Sequence, residues 1–180
     1  HHGNAILSRF PILHSHNQDV THLQFEKRGL LHCQIKLPQG PAAHCVCVHL
    51  SLFGYSRRRQ MAALADYLDE TADPNAPLII AGDFNDWGNR AGEHLARRLG
   101  LHEVFSGPNG RPARSFPAAM PMFRLDRIYI RGFDVQRARP STHGLAGMRH
   151  RVEAAGGKLT VNSAPGEGTR LQAMLPTRAL

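Results

Sequence analysis

The sequence predicts an α/β domain in which one helix connects two parallel strands of a sheet. The apolar run Leu78–Ala81 ends at Gly82 and is followed by polar residues, as at the carboxyl end of a buried strand. An earlier strand ends at His49, and the segment 56–69 between the two strands has apolar residues at helical spacing. This order indicates a βαβ unit, so the ends of both strands lie at one edge of the sheet.

The first third of the chain predicts short strands. Ala5–Leu7 and Pro11–Leu13 are apolar on either side of a break, which favours two packed strands. Arg28–Leu37 alternates roughly and is followed by the reversal signal Pro38–Pro41. Apolar residues of the segment 44–50 then fill a returning strand, so we expect a β-meander.

The middle of the chain contains the clearest helix, Ser56–Asp69, with Ser56 as its expected cap. Its apolar stripe consists of Met61, Leu64, Ala65 and Leu68. A short helix is expected over Ala91–Leu99 and a brief extended piece over Leu101–Phe105.

Further along, Ser106–Pro121 is rich in Gly, Pro, Ser and Arg and is expected to be a surface loop. Met122–Ile130 returns to strand alternation, and Asp134–Arg139 is expected to be a last strand. One face of the strand 122–130 carries Leu125, the stem of Arg127 and Tyr129. Asp126 lies inside that strand, where a carboxylate needs a partner.

The composition fits a globular protein. The chain has 180 residues, 42% hydrophobic and 20% charged, which suffices for one domain with a buried core. Its formal charge of +8 favours an anionic partner such as a phosphate-bearing substrate or nucleic acid, with a solvated basic surface as the alternative.

The chain gives few signs of its compartment. No apolar run is long enough to span a bilayer, and residues 1–4 do not resemble a signal peptide. The missing initiating Met suggests a fragment or a trimmed start. Cys33, Cys45 and Cys47 lack disulfide or metal-finger spacing and are interpreted as core residues, which leans towards a reducing, cytoplasmic location.

The polar residues after Gly82 offer chemistry at the sheet edge. Asp83 and Asn85 alternate with Phe84, so the carboxylate and the amide are expected to point the same way and Phe84 into the core. Together they could hold one water and one substrate oxygen. The alternative is an Asp/Asn/Gly turn that merely ends a strand.

Four segments together resemble the endonuclease/exonuclease/phosphatase superfamily over roughly residues 3 to 140. They are Gly3–Ile12, Val48–Ser51 with Arg57 and Gln60 following, Ala81–Asn85 and Leu125–Ile128. The resemblance implies a four-layered α/β sandwich, here partial, and metal-assisted hydrolysis of a phosphodiester or phosphomonoester with Mg²⁺ or Mn²⁺. The implied substrate is a phosphate ester, such as DNA or a phospholipid head group.

The resemblance implies a role for each matching residue. His49 matches the histidine that contacts the scissile phosphate, and Asp83 the aspartate that orients or deprotonates the attacking water. Asn85 matches the amide that holds the phosphate, and Asp126 the aspartate that orients the catalytic histidine. Asp83 is also the one metal ligand that this chain suggests.

Each of these residues also has a structural interpretation. His49 is alternatively a histidine at the core edge, and Asp126 alternatively pairs with Arg124 or Arg127. Arg57 resembles a recurrent basic position that binds substrate, or it simply opens the helix with its neighbours. Trp87 faces substrate or forms a packing lid.

Two departures from the family pattern stand out. The family's metal-binding glutamate precedes the Gly3-Asn4-Ala5 segment, and the sequence has no counterpart. The family's closing Ser-Asp-His is replaced by Pro140–Gly144, in which His143 has no preceding aspartate. We therefore expect a truncated domain, over 1–140, with an impaired site.

The tail, residues 144–180, resembles something else. Gly144–Glu153, Gly156–Val161 and Ser163–Leu171 resemble the end of the ATP-binding domain of bacterial sensor histidine kinases. The sequence predicts a small helix and a β-hairpin there. About 35 residues cannot form the nucleotide pocket alone, so no kinase activity is expected.

The sequence therefore favours a metal-dependent phosphoesterase. The alternatives are a non-catalytic module that binds phosphate or nucleic acid, and a two-component signalling fragment.

Overall fold

The computed structural model describes residues 3–88, 90–105, 125–135, 158–164 and 168–174. The chain divides into two compact units. The first contains a six-stranded mixed sheet and two helices, and the second contains a two-stranded hairpin. This arrangement confirms the predicted α/β class.

The first three strands form the predicted antiparallel meander. They are β1 (Ile12–Asp19), β2 (Gly29–Ile35) and β3 (Ala43–His49). The chain reverses between β2 and β3 at the predicted Pro38–Pro41 segment, where Gly40 has φ = +82°. Glycine adopts this left-handed conformation without steric strain.

The strand expected at Ala5–Leu7 is wrong, because none of the described residues 3–11 is in a strand. The side chain of Asn4 instead donates to the carbonyl oxygens of Gly29 (2.7 Å) and Cys47 (3.1 Å). The side-chain amide of Asn4 therefore bonds this segment to the backbones of β2 and β3, and the segment does not add a strand. Leu7 in the same segment is fully exposed.

The predicted βαβ unit is confirmed. Helix α1 (Gly54–Thr71) connects β3 to β4 (Leu78–Asp83), and the two strands are parallel. Ser56 is not the cap, because the helix begins earlier, with Phe53 at the N-cap position and no side-chain cap bond. Ser56 is buried in the first turn, where its hydroxyl accepts a hydrogen bond from Gln60 Nε2.

The remaining elements of the first unit follow in short segments. They are α2 (Arg90–Arg98), β5 (His102–Glu103) and β6 (Asp126–Arg131). Strand β6 lies between β4 and β5 and is antiparallel to both, which gives the order β1-β2-β3-β4-β6-β5. The predicted helix and brief strand are confirmed.

Other predictions fall partly outside the described residues. Strand β6 begins at Asp126, and neither residues 122–124 nor the loop predicted over 106–121 are among the described residues. Of the strand expected at Asp134–Arg139, Asp134 and Val135 are described and are not in a strand. His143 lies outside the described residues.

Both helices pack on one face of the sheet and form a single core with it. The predicted stripe of α1 is buried, and Leu95 of α2 and Leu99, which follows α2, are buried with it. The sheet residues of this core are Leu30, Val46, Val48, Leu78, Ile80 and Tyr129. Because side chains alternate along a strand, the residues between them face the other side.

The second unit contains the predicted hairpin. Strands β7 (Lys158–Ala164) and β8 (Gly168–Met174) are antiparallel, with Lys158 opposite Met174. The helix and the glycine-rich entry predicted before them lie outside the described residues, so the kinase resemblance stays a prediction.

No helix among the described residues is both long and apolar enough to cross a membrane. The cysteines Cys33, Cys45 and Cys47 are free thiols, and burial raises the pKa of each. The interpretation of these residues as core cysteines agrees with the full burial of Cys33 and the partial burial of the other two.

A buried histidine pair joins α1 to the sheet. The two nitrogens of His32 lie 2.9 Å from Tyr67 Oη and 2.9 Å from His44 Nδ1. Burial and the neighbouring His44 and His16 lower the pKa of His32 to about 4. Neutral His32 is therefore the form that the fold accommodates.

This pair predicts a loss of stability in mild acid. Below its unfolded pKa of 6.5, His32 binds a proton more readily in the unfolded chain, so stability falls as the pH drops from 6.5 towards 4. Between pH 7.5 and pH 5, we expect His32 to reduce the free energy of unfolding by about 2 kcal/mol. Urea unfolding of wild type and His32→Gln at several pH values measures how steeply the free energy of unfolding of each protein depends on pH.

The exposed His14 on β1 provides the control. His14→Gln should retain the wild-type dependence on pH. An equal dependence in wild type and His32→Gln would contradict the prediction.

Candidate active site

Three predicted site residues lie side by side on neighbouring strands. His49 pairs in register with Asp83, and Asp83 pairs with Asp126. The His49 Nε2 atom lies 3.8 Å from Asp83 Oδ2, and both side chains are partly exposed, at 40% and 33%. All three occupy the sheet face opposite the helices, since the residues next to them belong to the core. The expectation that His49 and Asp83 share an edge is confirmed.

The carboxyl group of Asp83 has a raised pKa. Burial is the main cause, and the neighbouring Asp126 adds to it, while the Asn85 backbone N–H, His49 and Arg28 act in the opposite direction. Burial and a nearby like charge both disfavour the ionised form of a carboxyl group. This carboxyl group therefore takes up protons more readily than an ordinary aspartate.

Asn85 holds the end of β4 in place. Its backbone N–H donates to Asp83 Oδ1 (2.9 Å), and its Nδ2 donates to the carbonyl of Leu50 (2.9 Å). Leu50 N–H in turn donates to the Asp83 carbonyl. Asn85 is buried and has φ = +48°, a conformation that is uncommon outside glycine and frequent at functional sites.

This geometry modifies the sequence-based placement of Asn85. Strand β4 ends at Asp83, so strict alternation does not extend to Asn85. Phe84 is fully buried as predicted, and its backbone N–H donates to Leu125 O. Asn85 lies next to Asp83, with part of its amide bound to the backbone.

Asp126 begins strand β6 and is exposed, so it does not lie inside the strand as expected. The alternating neighbour Arg127 is buried on the other face, where its guanidinium contacts Glu103 at 3.2 Å and donates to Asp86 O at 3.1 Å. The buried cation thus has its own acidic partner. Arg124, the other predicted alternative partner of Asp126, lies outside the described residues.

Arg57 supports the loop between β3 and α1. One terminal guanidinium nitrogen donates to the carbonyls of Ser51 (3.1 Å) and Leu52 (3.0 Å), and Nε lies 3.9 Å from Asp86 Oδ1. These contacts favour the structural interpretation. Trp87 is half exposed, and the substrate-binding roles of Arg57 and Trp87 stay predictions.

Two buried polar residues near the site have contacts that the sequence-based predictions did not assign: Asp86 received no role, and Gln60 was named only among the residues that carry the family resemblance. Asp86 Oδ2 accepts the backbone N–H of Gly92 in the first turn of α2, and Gln60 Oε1 accepts the backbone N–H of Ser51. An acidic residue shortly before a helix could have indicated the first contact. Nothing in the helical spacing distinguishes Gln60 from an ordinary polar position of α1.

Gly82 lets β3 and β4 approach each other next to the site. It has φ = +142°, and a Cβ atom there would lie 1.9 Å from the carbonyl oxygen of Val48. No other residue type fits without moving the backbone. Glycine at this position therefore fixes the spacing between His49 and Asp83.

The described residues include no group of three His, Cys, Asp or Glu side chains arranged to hold a metal ion. Asp83 and Asp126 do offer carboxylate oxygens on adjacent strands, and their mutual repulsion raises the pKa of Asp83. Oxygen ligands suit Mg²⁺ and Mn²⁺, and a cation near both groups would relieve this repulsion. The donor chemistry fits a hard divalent cation.

A mixed sheet with helices on one face, and with a histidine and carboxylates at neighbouring strand ends, defines the class as an α/β domain with a polar site at the edge of its sheet. The chain belongs to the Endonuclease/Exonuclease/phosphatase family, whose model matches residues 1–150. This match confirms the family resemblance seen in the four sequence segments.

The uncharacterized protein YbhP of Escherichia coli is 46% identical over 151 residues, which are 83% of this chain and 58% of YbhP. The chain thus spans less than two thirds of that relative. Among solved structures, a mannosyl-6-phosphatase of Bacteroides thetaiotaomicron matches with a TM-score of 0.60 at 15% identity, covering 93% of this chain and 67% of that one. The human Nocturnin catalytic domain with bound sulfate matches with a TM-score of 0.55 at 21% identity, over 75% and 57%. At these identities, both structures show a shared fold.

The close approach at Gly82 predicts a large effect of a single methyl group. Gly82→Ala should lower the free energy of unfolding by about 3 kcal/mol or more, because the Cβ atom overlaps the Val48 carbonyl. Gly88→Ala is the control, since a Cβ atom there meets nothing within 4 Å, and it should change stability by less than about 0.5 kcal/mol. Urea denaturation that finds both variants equally stable would contradict this prediction.

The raised pKa of Asp83 predicts that its neutral isostere is more stable. Above the raised pKa the folded protein must hold a charge that burial disfavours, and below the unfolded pKa of 3.8 this penalty disappears. Asp83→Asn should therefore raise Tm at pH 7, and the gain should shrink as the pH falls towards 4. The exposed Asp134 provides a control variant, Asp134→Asn, for which no such pH-dependent gain is expected.

Proposed function

We propose that the protein hydrolyses phosphate esters at the edge formed by His49, Asp83 and Asp126. The single observation that carries this proposal is the pairing of His49 with Asp83, 3.8 Å apart on adjacent strand ends and open to solvent. A base and a cationic or hydrogen-bonding group at this separation can act on the same phosphate. Membership in the family supports the assignment.

In this proposal Asp83 orients the attacking water and accepts its proton. Its raised pKa brings the carboxylate closer to the working range of a general base. His49 contacts the scissile phosphate from the neighbouring strand and stabilises the charge that develops on its oxygens. Partial exposure of both side chains leaves room for the substrate.

Asn85 and Asp126 have supporting roles in the proposal. Asn85 fixes Asp83 through the bond from its backbone N–H to Oδ1, and its amide lies beside the position of the phosphate. Asp126 orients the catalytic histidine, as the resemblance implies. His143 lies outside the described residues.

The proposed cofactor is Mg²⁺ or Mn²⁺, held by Asp83 with Asp126 one strand away. When bound, such an ion supplies positive charge that offsets the charge of the phosphate ester. The chain's own residues position the water and the phosphate around it.

The proposed substrates are phosphate esters such as DNA or a phospholipid head group. The formal charge of +8 favours polyanionic partners. The structural neighbours include a mannosyl-6-phosphatase, named for a sugar phosphate, and a domain with bound sulfate, which supports recognition of an anion on this fold. Free cysteines are consistent with the proposed cytoplasmic location.

A second candidate is a module that binds phosphate or nucleic acid without turnover. The formal charge of +8 favours it. Binding that weakens steeply with salt, in the absence of cleavage, would identify it. The kinase-like tail adds no kinase activity in either proposal.

Hydrolysis is tested with a chromogenic phosphodiester and Mg²⁺ or Mn²⁺. Asp83→Ala and His49→Ala should each lower kcat/KM by about 10²- to 10⁴-fold, because each removes a group that acts on the reacting phosphate. EDTA should abolish turnover.

Two exposed residues of the same types supply matched controls. Asp134 and His102 lie away from the site residues His49, Asp83 and Asp126. The variants Asp134→Ala and His102→Ala should therefore retain full activity. Robust cleavage by Asp83→Ala would refute the proposed role of the carboxylate.

A further inference from the structure

A polar cleft lies beside His49 on the side away from Asp83. Its volume is about 300 Å³, and it is lined by Gly3, Asn4, Asn17, Lys27, Arg28, Gly29, Leu31 and His49. The lining includes two cationic side chains and no carboxylate, and of its two amides Asn4 already donates to the carbonyls of Gly29 and Cys47. A cleft of this composition attracts anions.

The cleft continues the row of site residues along the sheet. Strand β2 is adjacent to β3, and Asn17 on β1 is in register with Leu31 on β2. His49 therefore has cationic groups towards β2, and the carboxylates Asp83 and Asp126 towards β4 and β6. This arrangement gives the edge a cationic half and an acidic half.

The two cations are held differently. Arg28 donates from a terminal guanidinium nitrogen to Glu26 at 2.8 Å and is mostly buried, so it is a fixed part of the cleft wall. Lys27 is exposed and lines the cleft. Hydrogen bonds from Thr21 and, to a smaller degree, the charge of Lys27 lower the pKa of Asp19, which does not line the cleft. Lys27 is thus the cation that can reach a ligand.

We infer that this cleft binds a second anionic group of the substrate. The inference rests on the proposed function, and it names the substrate class as a phosphate ester that carries another phosphate on the same molecule. Neighbouring strands are about 4.8 Å apart, so an anion above β2 would lie about 5–10 Å from a phosphate at His49 and Asp83. Lys27 is the residue that makes the protein prefer a substrate with this second phosphate.

The test compares two substrates with the same leaving group. Thymidine 5′-(p-nitrophenyl phosphate) is used with and without a 3′-phosphate, at low salt with Mg²⁺. Wild type should prefer the substrate with the 3′-phosphate, and Lys27→Ala should lower kcat/KM for it by about 3- to 10-fold. The substrate without the 3′-phosphate should be unaffected by this substitution.

Lys36→Ala is the matched control. Lys36 is also an exposed lysine, but it follows the opposite end of β2 and should not alter either substrate. Equal effects of Lys27→Ala on both substrates, or none on either, would overturn the inference.

Binding separates this inference from the proposed hydrolysis. If wild type cleaves neither substrate, the proposed function fails, and calorimetry with thymidine 3′,5′-bisphosphate and thymidine 5′-monophosphate decides about the cleft. Tighter binding of the bisphosphate that is lost in Lys27→Ala supports the cleft. Equal affinities for the two nucleotides, or no binding, would refute it.

Discussion

The parallel pairing of β3 with β4 is the constraint on which the site depends. At its carboxyl end the two backbones come so close that Gly82 has no space for a side chain, since a Cβ atom would meet Val48 O. The backbone bond from Leu50 to Asp83 and the Asn85 side-chain bond to Leu50 then join the two chain segments beyond the strands. The backbone pairing of β3 with β4 therefore places His49 and Asp83 side by side. Their position does not depend on the attraction between the two side chains.

Buried polar groups hold the loops around this edge. Arg127 joins β6 to β5 through Glu103 and to the β4–α2 loop through the Asp86 carbonyl. Gln60 and Arg57 bind backbone groups of the loop after β3. Buried charges and amides are expensive unless they are paired, and here each of these contacts replaces water with a partner from another element. The loops that carry the site are thereby fixed from the core side.

Much of this architecture follows from local sequence patterns. The amphipathic stripe of α1 and the apolar run of β4 predicted the βαβ unit, and with it the meeting of His49 and Asp83. The errors occurred where contacts distant in sequence decide the structure. Asn4 binds backbone carbonyls 25 and 43 residues away instead of starting a strand. The buried pairing of Arg127 with Glu103 has no local signal either, because the two residues meet only when β5 and β6 pair.

The position of Asp83 is not explained by folding alone. Asp86 Oδ2 accepts a backbone N–H and Glu103 contacts a guanidinium, so each buried acid elsewhere in this region has a partner that favours its charge. Asp83 accepts one backbone N–H, yet burial and the in-register Asp126 raise its pKa in spite of this bond. An asparagine would retain the same hydrogen bond without the charge. A carboxylate whose ionised form the fold disfavours, open on one side to solvent and next to a histidine, is what proton transfer requires. The chemistry proposed for this edge accounts for the aspartate better than the stability of the sheet does.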